Sequence, residues 1–442
     1  MPAALADSAI YGRLFGDAEV ARLFSDSAET RAMLLVEGAL ARVQGALGVI
    51  PADAAAVIDR ASHEVQIDPS SFAVETARNG VPVPAFLAAF RKAAMAPDPM
   101  QYLHWGATSQ DIMDTALALR LRPMLTLWET RLDGLLGHLA ALAETGAGLP
   151  MAARTYGQFA TPTSFGAVVA GWGWPLLEWR GRLVSLRSDV LKVSLSGAAG
   201  TLAAMGDFGP QVRAALAGEL GLADPGHSWH SDRSAASQLA AFAAGLAGSL
   251  GKLGEDVLAL SQSGLGEVSF AGGAGGSSTM PQKQNPVAAS ALVALARHVI
   301  GLAGLVQAAA IHRQQRDGAA WFSEWLSLPQ LCICTSRMLV LADEIATSLV
   351  PDGVAMGRLL EDGLGLIHAE TLTFALAAQM PRPDAMAAVK SMCLEAHATQ
   401  TPLPELAKRR FPGTDWLAVL TTSGLGQAPV EARAFAARVR AG

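Results

Sequence analysis

Hydrophobic residues recur along most of this chain at steps of three and four positions, the spacing that places side chains on one face of an α-helix. In the first region, Val36, Leu40, Val43 and Leu47 follow this spacing, and a glycine and a proline come soon after them. Alternating patterns typical of strands are scarce. We therefore predict an all-α fold.

Two segments in the middle of the chain carry a hydrophobic repeat close to 3.5 residues, from Leu125 to Leu142 and from Ala236 to Leu260. A repeat of this length predicts long helices that pack almost parallel in a left-handed bundle. The second segment also has a glycine at every third position. Because each glycine lowers helix propensity by about 1 kcal/mol against alanine, we expect these glycines to permit close helix–helix contact. They are Gly245, Gly248, Gly251 and Gly254.

Prolines and glycines that interrupt the helical patterns divide the chain into three predicted domains. The stretch APDPM precedes the first long central helix, and VPDGVAM follows the last one. We expect an N-terminal helical domain at 1–107, a central helical-bundle domain at 108–350 and a C-terminal helical domain at 351–442.

The composition is apolar enough to raise the question of a membrane. Hydrophobic residues make up 51% of the 442 residues, charged residues make up 16%, and the mean hydropathy is +0.30. The longest apolar run, 290–311, holds Arg297 and His298 near its middle, and a charge at the centre of a spanning helix is costly. The run instead predicts a helix buried in a large protein or an oligomer. We expect several chains to pool such helices, as a homotetramer with no membrane partner.

Charge and cysteine content favour a cytoplasmic protein without a nucleic-acid partner. The formal net charge is −6, and no basic cluster stands out. The first twenty residues lack the basic start and apolar core of a secretory signal. Cys332 and Cys334 lie in the apolar stretch LCIC, as expected of buried, reduced thiols in a reducing compartment.

Four polar segments interrupt the helical pattern and carry the candidate chemistry. The first, His104 to Asp111, precedes a long predicted helix. There, Thr108, Ser109 and backbone N–H groups form either a carboxylate cradle or an ordinary helix cap. The second, Arg154 to Thr163, combines a cation, hydroxyls and an amide that suit an oxygen-rich anion, and is otherwise a polar loop between helices.

The third polar segment, His227 to Arg233, contains two histidines three positions apart. No cysteine or carboxylate with ligand spacing accompanies them in the sequence, so we predict no metal site. His230 and Arg233 are candidates for binding a substrate carboxylate, or else are solvated loop residues.

The fourth polar segment, Gly272 to Pro286, reads GGAGGSSTMPQKQNP. The phosphate-binding pattern GxxxxGK[ST] is absent from it, and no strand is predicted before it. Lys283 comes six residues after Ser277, so a folded loop can bring its charge near the hydroxyl and stabilise a negative intermediate. The flanking glycines would let the loop open and close over a substrate.

The end of this segment, GSSTMPQKQNP, matches the GSSxMPxKxNP pattern of the fumarase/aspartase superfamily at every fixed position. HWGATSQD and RTYGQFATPT fall at two upstream motif positions of that superfamily, so the resemblance covers most of the chain. The start LFGDAEVARLFSD, the pair Trp229-His230 and the pair Glu324-Trp325 resemble its bacterial 3-carboxy-cis,cis-muconate cycloisomerase branch.

This resemblance implies a three-domain, all-α fold whose central bundle assembles into a tetramer with shared active sites, and it implies neither cofactor nor metal. Ser277 would exchange a proton with the carbon next to a carboxylate, and Lys283 and Asn285 would hold that carboxylate. The residues expected to contact a small tricarboxylate substrate are His104, Thr108, Ser109, Arg154, Tyr156, Gln158, His230, Arg233, Ser278 and Met280.

Tyr156 occupies a position where many lyases of the superfamily have histidine. That histidine is thought to help an amine or hydroxyl leaving group accept a proton, whereas a carboxylate, with a reference pKa of about 4, leaves or attacks without protonation. The muconate branch likewise has an aromatic residue there. The implied activity is an intramolecular lyase (an isomerase) that converts 3-carboxy-cis,cis-muconate to 4-carboxymuconolactone, in the protocatechuate branch of the beta-ketoadipate pathway. The alternatives are an adenylosuccinate/argininosuccinate-type lyase that releases fumarate and a non-catalytic structural protein on the same scaffold.

Overall fold

The structure is a computed structural model that describes residues 8–272, 275–276, 278–422 and 424–442. Helices dominate these residues, and the predicted all-α class is confirmed. The helices are α1 Gly12–Phe15, α2 Ala18–Leu23, α3 Asp26–Ala46, α4 Ala52–Glu64, α5 Ala73–Asn79, α6 Val83–Ala94, α7 Pro97–Met100, α8 Ser109–Thr145, α9 Phe165–Val190, α10 Gly209–Leu220, α11 Ser234–Leu260, α12 Val287–Ala308, α13 Gly318–Ser348, α14 Gly353–Glu361, α15 Ala369–Ala377, α16 Arg382–Thr399, α17 Leu403–Arg410, α18 Trp416–Thr422 and α19 Ala428–Arg440.

Short antiparallel strand pairs and 3-10 turns join these helices. The strands are β1 Pro150–Thr155, β2 Gln158–Ser164, β3 Val268–Phe270, β4 Gly275–Gly276, β5 Gln284–Asn285 and β6 Leu349–Pro351. They pair as β1 with β2, β3 with β6, and β4 with β5. The 3-10 helices are Pro69–Phe72, Ala203–Phe208 and Gly363–His368.

The chain forms two compact units. The first combines Met1–Arg131, Trp179–Gly248 and Ala294–Leu339, and the second combines Leu132–Glu178, Ser249–Val293 and Val340–Gly442. The division into domains at 107/108 and 350/351 stays a prediction.

The 3.5-residue repeats produce buried faces on two long central helices, α8 and α11, as predicted. On α8, the repeat leucines and Trp128 are buried, and on α11 the apolar positions from Leu239 to Leu260 are buried as well. In the first unit, Trp128 stacks on Phe242 with ring centroids 6.0 Å apart. Periodic burial of this kind stabilises long helices that propensity alone would not hold.

The glycines of α11 differ in what surrounds them. A Cβ at Gly245 would lie 2.2 Å from the ring of Trp179, and one at Gly254 would lie 2.8 Å from Val293 Cγ2. Within the described residues, a Cβ at Gly248 would meet no atom within 4 Å. Close packing therefore explains why Gly245 and Gly254 are glycines, whereas the described contacts within one chain do not explain Gly248.

Two polar segments expected to be loops are in fact hairpins, and that part of the prediction is wrong. Arg154 to Thr163 belongs to the β1–β2 pair, in which Thr155 faces Gln158 across a two-residue turn. Tyr156 (φ 52°) and Gly157 (φ 73°) are both left-handed there, as in the turns that match strand twist best. In the fourth segment β4 pairs with β5, and the strand β3 precedes it, contrary to the expectation that no strand would.

Two helices, α12 and α13, are long and apolar enough to cross a membrane by length and composition. In their most apolar stretches, 56% and 67% of the residues are buried within the structure, as in the core helices of a soluble protein. Cys332 and Cys334 on α13 are buried free thiols, as predicted. Burial raises the pKa of both, to about 11 for Cys334, so they stay protonated at neutral pH.

Candidate active site

The first polar segment begins α8, and a buried carboxylate sets its geometry. Asp111, in the first turn, accepts a hydrogen bond from the backbone N–H of Thr108 at 3.0 Å, the reciprocal contact of a capping box. It also accepts from the N–H groups of Ser196 at 2.8 Å and Gly197 at 3.0 Å. The turn that carries Thr108 and Ser109 is thereby held at the positive end of a 37-residue helix, where anions are stabilised by about 0.3–1 kcal/mol.

The same carboxylate orients His230. His230 Nε2 lies 2.7 Å from Asp111 Oδ1, and both side chains are buried. Because a carboxylate accepts, Nε2 carries the proton and Nδ1 is the acceptor, 3.5 Å from Arg316 Nη2. Gln110 further fixes this residue by donating to the His230 carbonyl at 2.8 Å. The histidine is therefore a fixed member of a buried network, and the alternative of a solvated loop residue is wrong for it.

Arg233 is also buried, between two carboxylates of the first unit. It donates to both oxygens of Asp114, at 2.7 and 3.0 Å, and to both oxygens of Glu324, at 2.9 and 2.6 Å. Burial by itself lowers the pKa of Arg233, but the two carboxylates outweigh it and raise the pKa. Arg233 is thus no solvated loop residue either, and its predicted contact with a substrate carboxylate stays a prediction.

His104 forms a second histidine–carboxylate pair in the first unit. Its Nδ1 lies 2.6 Å from Oε1 of the buried Glu37 on α3, and its backbone is left-handed, with φ 66°. Burial lowers the pKa of His104, but the Glu37 charge and hydrogen bond outweigh that effect and raise the pKa above its usual 6.5. The other oxygen, Glu37 Oε2, is buried without a hydrogen-bond partner in the described part of the chain.

The second unit contains the β1–β2 hairpin with three predicted site residues. Arg154 Nη2 lies 2.7 Å from Oε2 of the buried Glu267, and the guanidinium lies 5.0 Å from the Phe159 ring centre. Burial raises the pKa of Glu267, and Arg154 offsets part of that rise. Tyr156 and Gln158, at the turn, are exposed. The hairpin therefore holds Arg154 in place while it presents an aromatic ring and an amide to solvent.

The fourth segment also lies in the second unit, and Ser277 lies outside the described residues. The pairing of Gly276 with Gln284 brings the two ends of the intervening loop together. Lys283 N–H donates to the Met280 carbonyl at 3.0 Å within this loop. Ser278, Met280 and Lys283 are exposed, and the Asn285 backbone pairs with Gly275. A Cβ at Gly275 would lie 2.5 Å from Val287 Cγ2, so this end of the loop requires glycine.

The sequence analysis did not identify the residues that support the two buried histidines, His230 and His104. Arg316 donates to Gln110 Oε1 at 2.8 Å, and Glu37 supports His104. Neither Arg316 nor Glu37 lies in a polar segment with a recognisable pattern, and the contacts join positions far apart in the chain. Among the described residues, no group of three or more His, Cys, Asp or Glu side chains is arranged to hold a metal ion.

A family model, related sequences and a solved structure all place this chain among lyases and cycloisomerases. A family model described as "Lyase" matches residues 16–301. The 3-carboxy-cis,cis-muconate cycloisomerases of Pseudomonas aeruginosa and Bradyrhizobium diazoefficiens are 40% and 38% identical over 88% and 86% of this chain, and 85% of each relative. The crystal structure of the 3-carboxy-cis,cis-muconate lactonizing enzyme from Pseudomonas putida matches with a TM-score of 0.91 at 33% identity, over 98% of this chain and 99% of that one.

The chain belongs to this lyase family. Its membership confirms the resemblance to the fumarase/aspartase superfamily that the sequence motifs implied. The predicted site residues of this lyase fall in both units, with His104, Thr108, Ser109, His230 and Arg233 in the first. The described ones in the second unit are Arg154, Tyr156, Gln158, Ser278, Met280, Lys283 and Asn285.

The raised pKa of His104 predicts a pH-dependent contribution to the stability of this lyase. Because the folded-state pKa lies above the unfolded value of about 6.5, the contribution is complete below pH 6.5 and is lost as the pH rises through the folded pKa. His104→Asn should therefore lower the free energy of unfolding by about 1–3 kcal/mol near pH 6 and by less near pH 9. Urea denaturation at both pH values measures the difference.

The exposed His63 provides the control for this measurement. His63→Asn should change the free energy of unfolding by less than about 0.5 kcal/mol at either pH. An equal loss at both pH values for His104→Asn would contradict a charged His104–Glu37 pair.

Proposed function

We propose that this chain is a cofactor-free cytoplasmic cycloisomerase that converts 3-carboxy-cis,cis-muconate to 4-carboxymuconolactone. The observation that carries the proposal is its similarity, over nearly its whole length, to enzymes of that name. Tyr156 gives independent chemical support, because a carboxylate nucleophile or leaving group needs no general acid at that position.

The reaction is an intramolecular addition in which no group leaves the substrate, and one proton taken up from outside balances the carboxylate charge that is lost when the lactone forms. One carboxylate oxygen forms a bond to the ring-forming carbon while the carbon next to another carboxylate gains a proton. The electrons pass through an enediolate-like intermediate, whose negative charge is the main energetic obstacle. Ser277 exchanges the proton, and Lys283 and Asn285 stabilise the carboxylate that carries the charge.

The remaining site residues bind and orient the three substrate carboxylates. Thr108 and Ser109 offer hydroxyls and N–H groups at the start of α8, and Arg154 and Lys283 supply positive charge. Arg233 has a positioning role in addition to its predicted substrate contact, because both of its edges already bond to Asp114 and Glu324. It positions the segment that carries His230, three residues before it.

The two alternatives are weaker for specific reasons. A lyase that releases fumarate has to protonate an amine or hydroxyl, and Tyr156 stands where a histidine would serve that purpose. A non-catalytic protein on the same scaffold has no need of Ser277, Lys283 and Asn285, which the chain retains.

Addition of 3-carboxy-cis,cis-muconate to the purified protein tests the reaction. We expect loss of the conjugated-diene absorbance with formation of the lactone, and no change with heat-unfolded protein. Adenylosuccinate and argininosuccinate should release no fumarate. Turnover of either one, together with a stable diene absorbance, would refute lactonisation.

Ser277→Ala tests the proposed proton exchange. Because general acid–base catalysis contributes about 10²–10⁴-fold, kcat should fall by that order while KM changes by less than about fivefold. Ser188→Ala, which alters an exposed serine on α9, should keep wild-type kinetics. A near-normal kcat for Ser277→Ala would remove this residue from its role.

We also propose that the protein is a homotetramer with active sites assembled from several subunits, as the superfamily resemblance implies. In one chain, Ile300 and Leu305 on α12 are 49% and 57% exposed. A Cβ at Gly301 or Gly304 on the same helix would meet no described atom within 4 Å. An apolar face with small residues suits close packing against helices of other subunits.

Light scattering should therefore give the mass of four chains of 45.8 kDa each. The double variant Ile300→Asp/Leu305→Asp should dissociate to smaller species, because it would bury two charges per chain. Val354→Asp, at a residue that is 85% exposed on α14, is the matched control and should keep the wild-type mass. A monodisperse wild-type monomer would contradict the proposal.

A further inference from the structure

A cavity of about 580 Å³ lies within the first unit, between α3, the segment 69–77, α8 and α13. Pockets that hold small organic ligands commonly measure about 300–1,000 Å³. Much of its wall is apolar, formed by Phe24, Met33, Phe72, Leu117, Trp325 and Leu328. A ligand with a sizeable apolar body would lose water from both surfaces on entering it.

One cation, Arg120 of α8, lines this cavity, and its side chain is only 11% exposed. Within the described part of the chain, its one hydrogen bond runs from Nε to the carbonyl of Ala116 in its own helix, at a long 3.4 Å. Glu29 Oε2 lies 3.6 Å from its Nη1, and the Phe24 ring centre lies 5.9 Å from its Cζ. A guanidinium has five N–H donors and stays charged, so Arg120 is a buried cation short of acceptors.

The carboxylates around the cavity have more hydrogen-bond partners than Arg120 or are in contact with water. Asp114 and Glu324, at one end, already accept two hydrogen bonds each from Arg233. Asp26 is exposed, and Glu29 is partly exposed, so water solvates both. Burial lowers the pKa of Arg120, and Glu29 restores only part of that loss. The buried group that is short of hydrogen-bond acceptors in this cavity is therefore the Arg120 guanidinium.

We propose that this cavity binds an amphipathic monocarboxylate, a molecule with one carboxylate on an aliphatic chain or aromatic ring system. The carboxylate pairs with the Arg120 guanidinium in place of Glu29, and the apolar body lies against Phe72, Leu117 and Leu328. The site is additional to the proposed reaction, because a tricarboxylate would bring three charges to a cavity with one cation on its wall. Binding is measured directly, so its outcome does not depend on the proposed activity.

Titration calorimetry of the whole protein with dodecanoate, below the concentration at which it forms micelles, tests the proposal. We expect one molecule bound per chain, with 1-dodecanol weaker and dodecylamine weakest. Arg120→Met should weaken dodecanoate binding by about 10–100-fold, the loss expected for hydrogen bonds to a charged group, and should leave dodecanol binding nearly unchanged.

Three further variants distinguish the effects of charge and of cavity space on dodecanoate binding from a general effect of losing a positive charge. Glu29→Gln should strengthen dodecanoate binding, because it removes the competing carboxylate, and Leu117→Trp should weaken binding, because the larger ring takes part of the space for the apolar body. Arg22→Met, which removes the same charge from an exposed position outside the wall, should bind as the wild type does. If Arg120→Met fails to fold, the opposite effects of Glu29→Gln and Leu117→Trp still decide. Equal binding of acid and alcohol, tighter binding of the amine, or unchanged binding by Leu117→Trp would overturn the proposal.

Discussion

A carboxylate removed from water costs several kcal/mol unless donors surround it, and Asp111 in the first unit has no exposed surface. The donors come from three separate stretches of chain: the turn before α8, the backbone at 196–197 and the side chain of His230. These stretches cannot move independently without leaving the charge unpaired. The geometry of the turn that carries Thr108 and Ser109 and the orientation of His230 therefore depend on the same interaction.

Arg233 repeats this arrangement with the opposite sign of charge. One buried guanidinium holds Asp114 of α8 and Glu324 of α13, so that a single cation joins two long helices and the segment before α11. Asp114 and Glu324 also line the cavity that contains Arg120. Both carboxylates bond to Arg233, at 2.9 Å from Glu324 and 2.7 Å from Asp114. A change in the shape of the cavity would therefore act on the residue that positions the segment with His230.

Repeated local patterns were predictable from the sequence, and single long-range contacts were not. The 3.5-residue repeats of α8 and α11 appear many times within each helix, so chance substitutions do not hide them. Arg233, by contrast, finds its partners 91 and 119 positions away, and nothing in the local sequence indicates which carboxylates they are. The contacts of Arg316 with Gln110 were missed for the same reason.

The hairpins were missed because their turns lack the usual signals. The β1–β2 turn is Tyr-Gly, whereas the strongest sequence signal for such a turn is Asn-Gly or Asp-Gly. The β4–β5 strands are two residues each, shorter than any alternation that a pattern can reveal. The role proposed for the fourth segment depends on its match to a superfamily motif, because its composition alone indicates only a glycine-rich loop.

The turn at Tyr156 has a consequence for attempts to make this protein more heat-resistant. A bulky residue in the left-handed region costs roughly 1–2 kcal/mol, and asparagine or glycine would adopt it more easily. A search guided by stability alone would therefore select this position early and replace the aromatic ring. The chain retains the less stable residue at the point where the ring stands fully in solvent, so thermal robustness and the specificity role proposed for Tyr156 make opposite demands on one side chain.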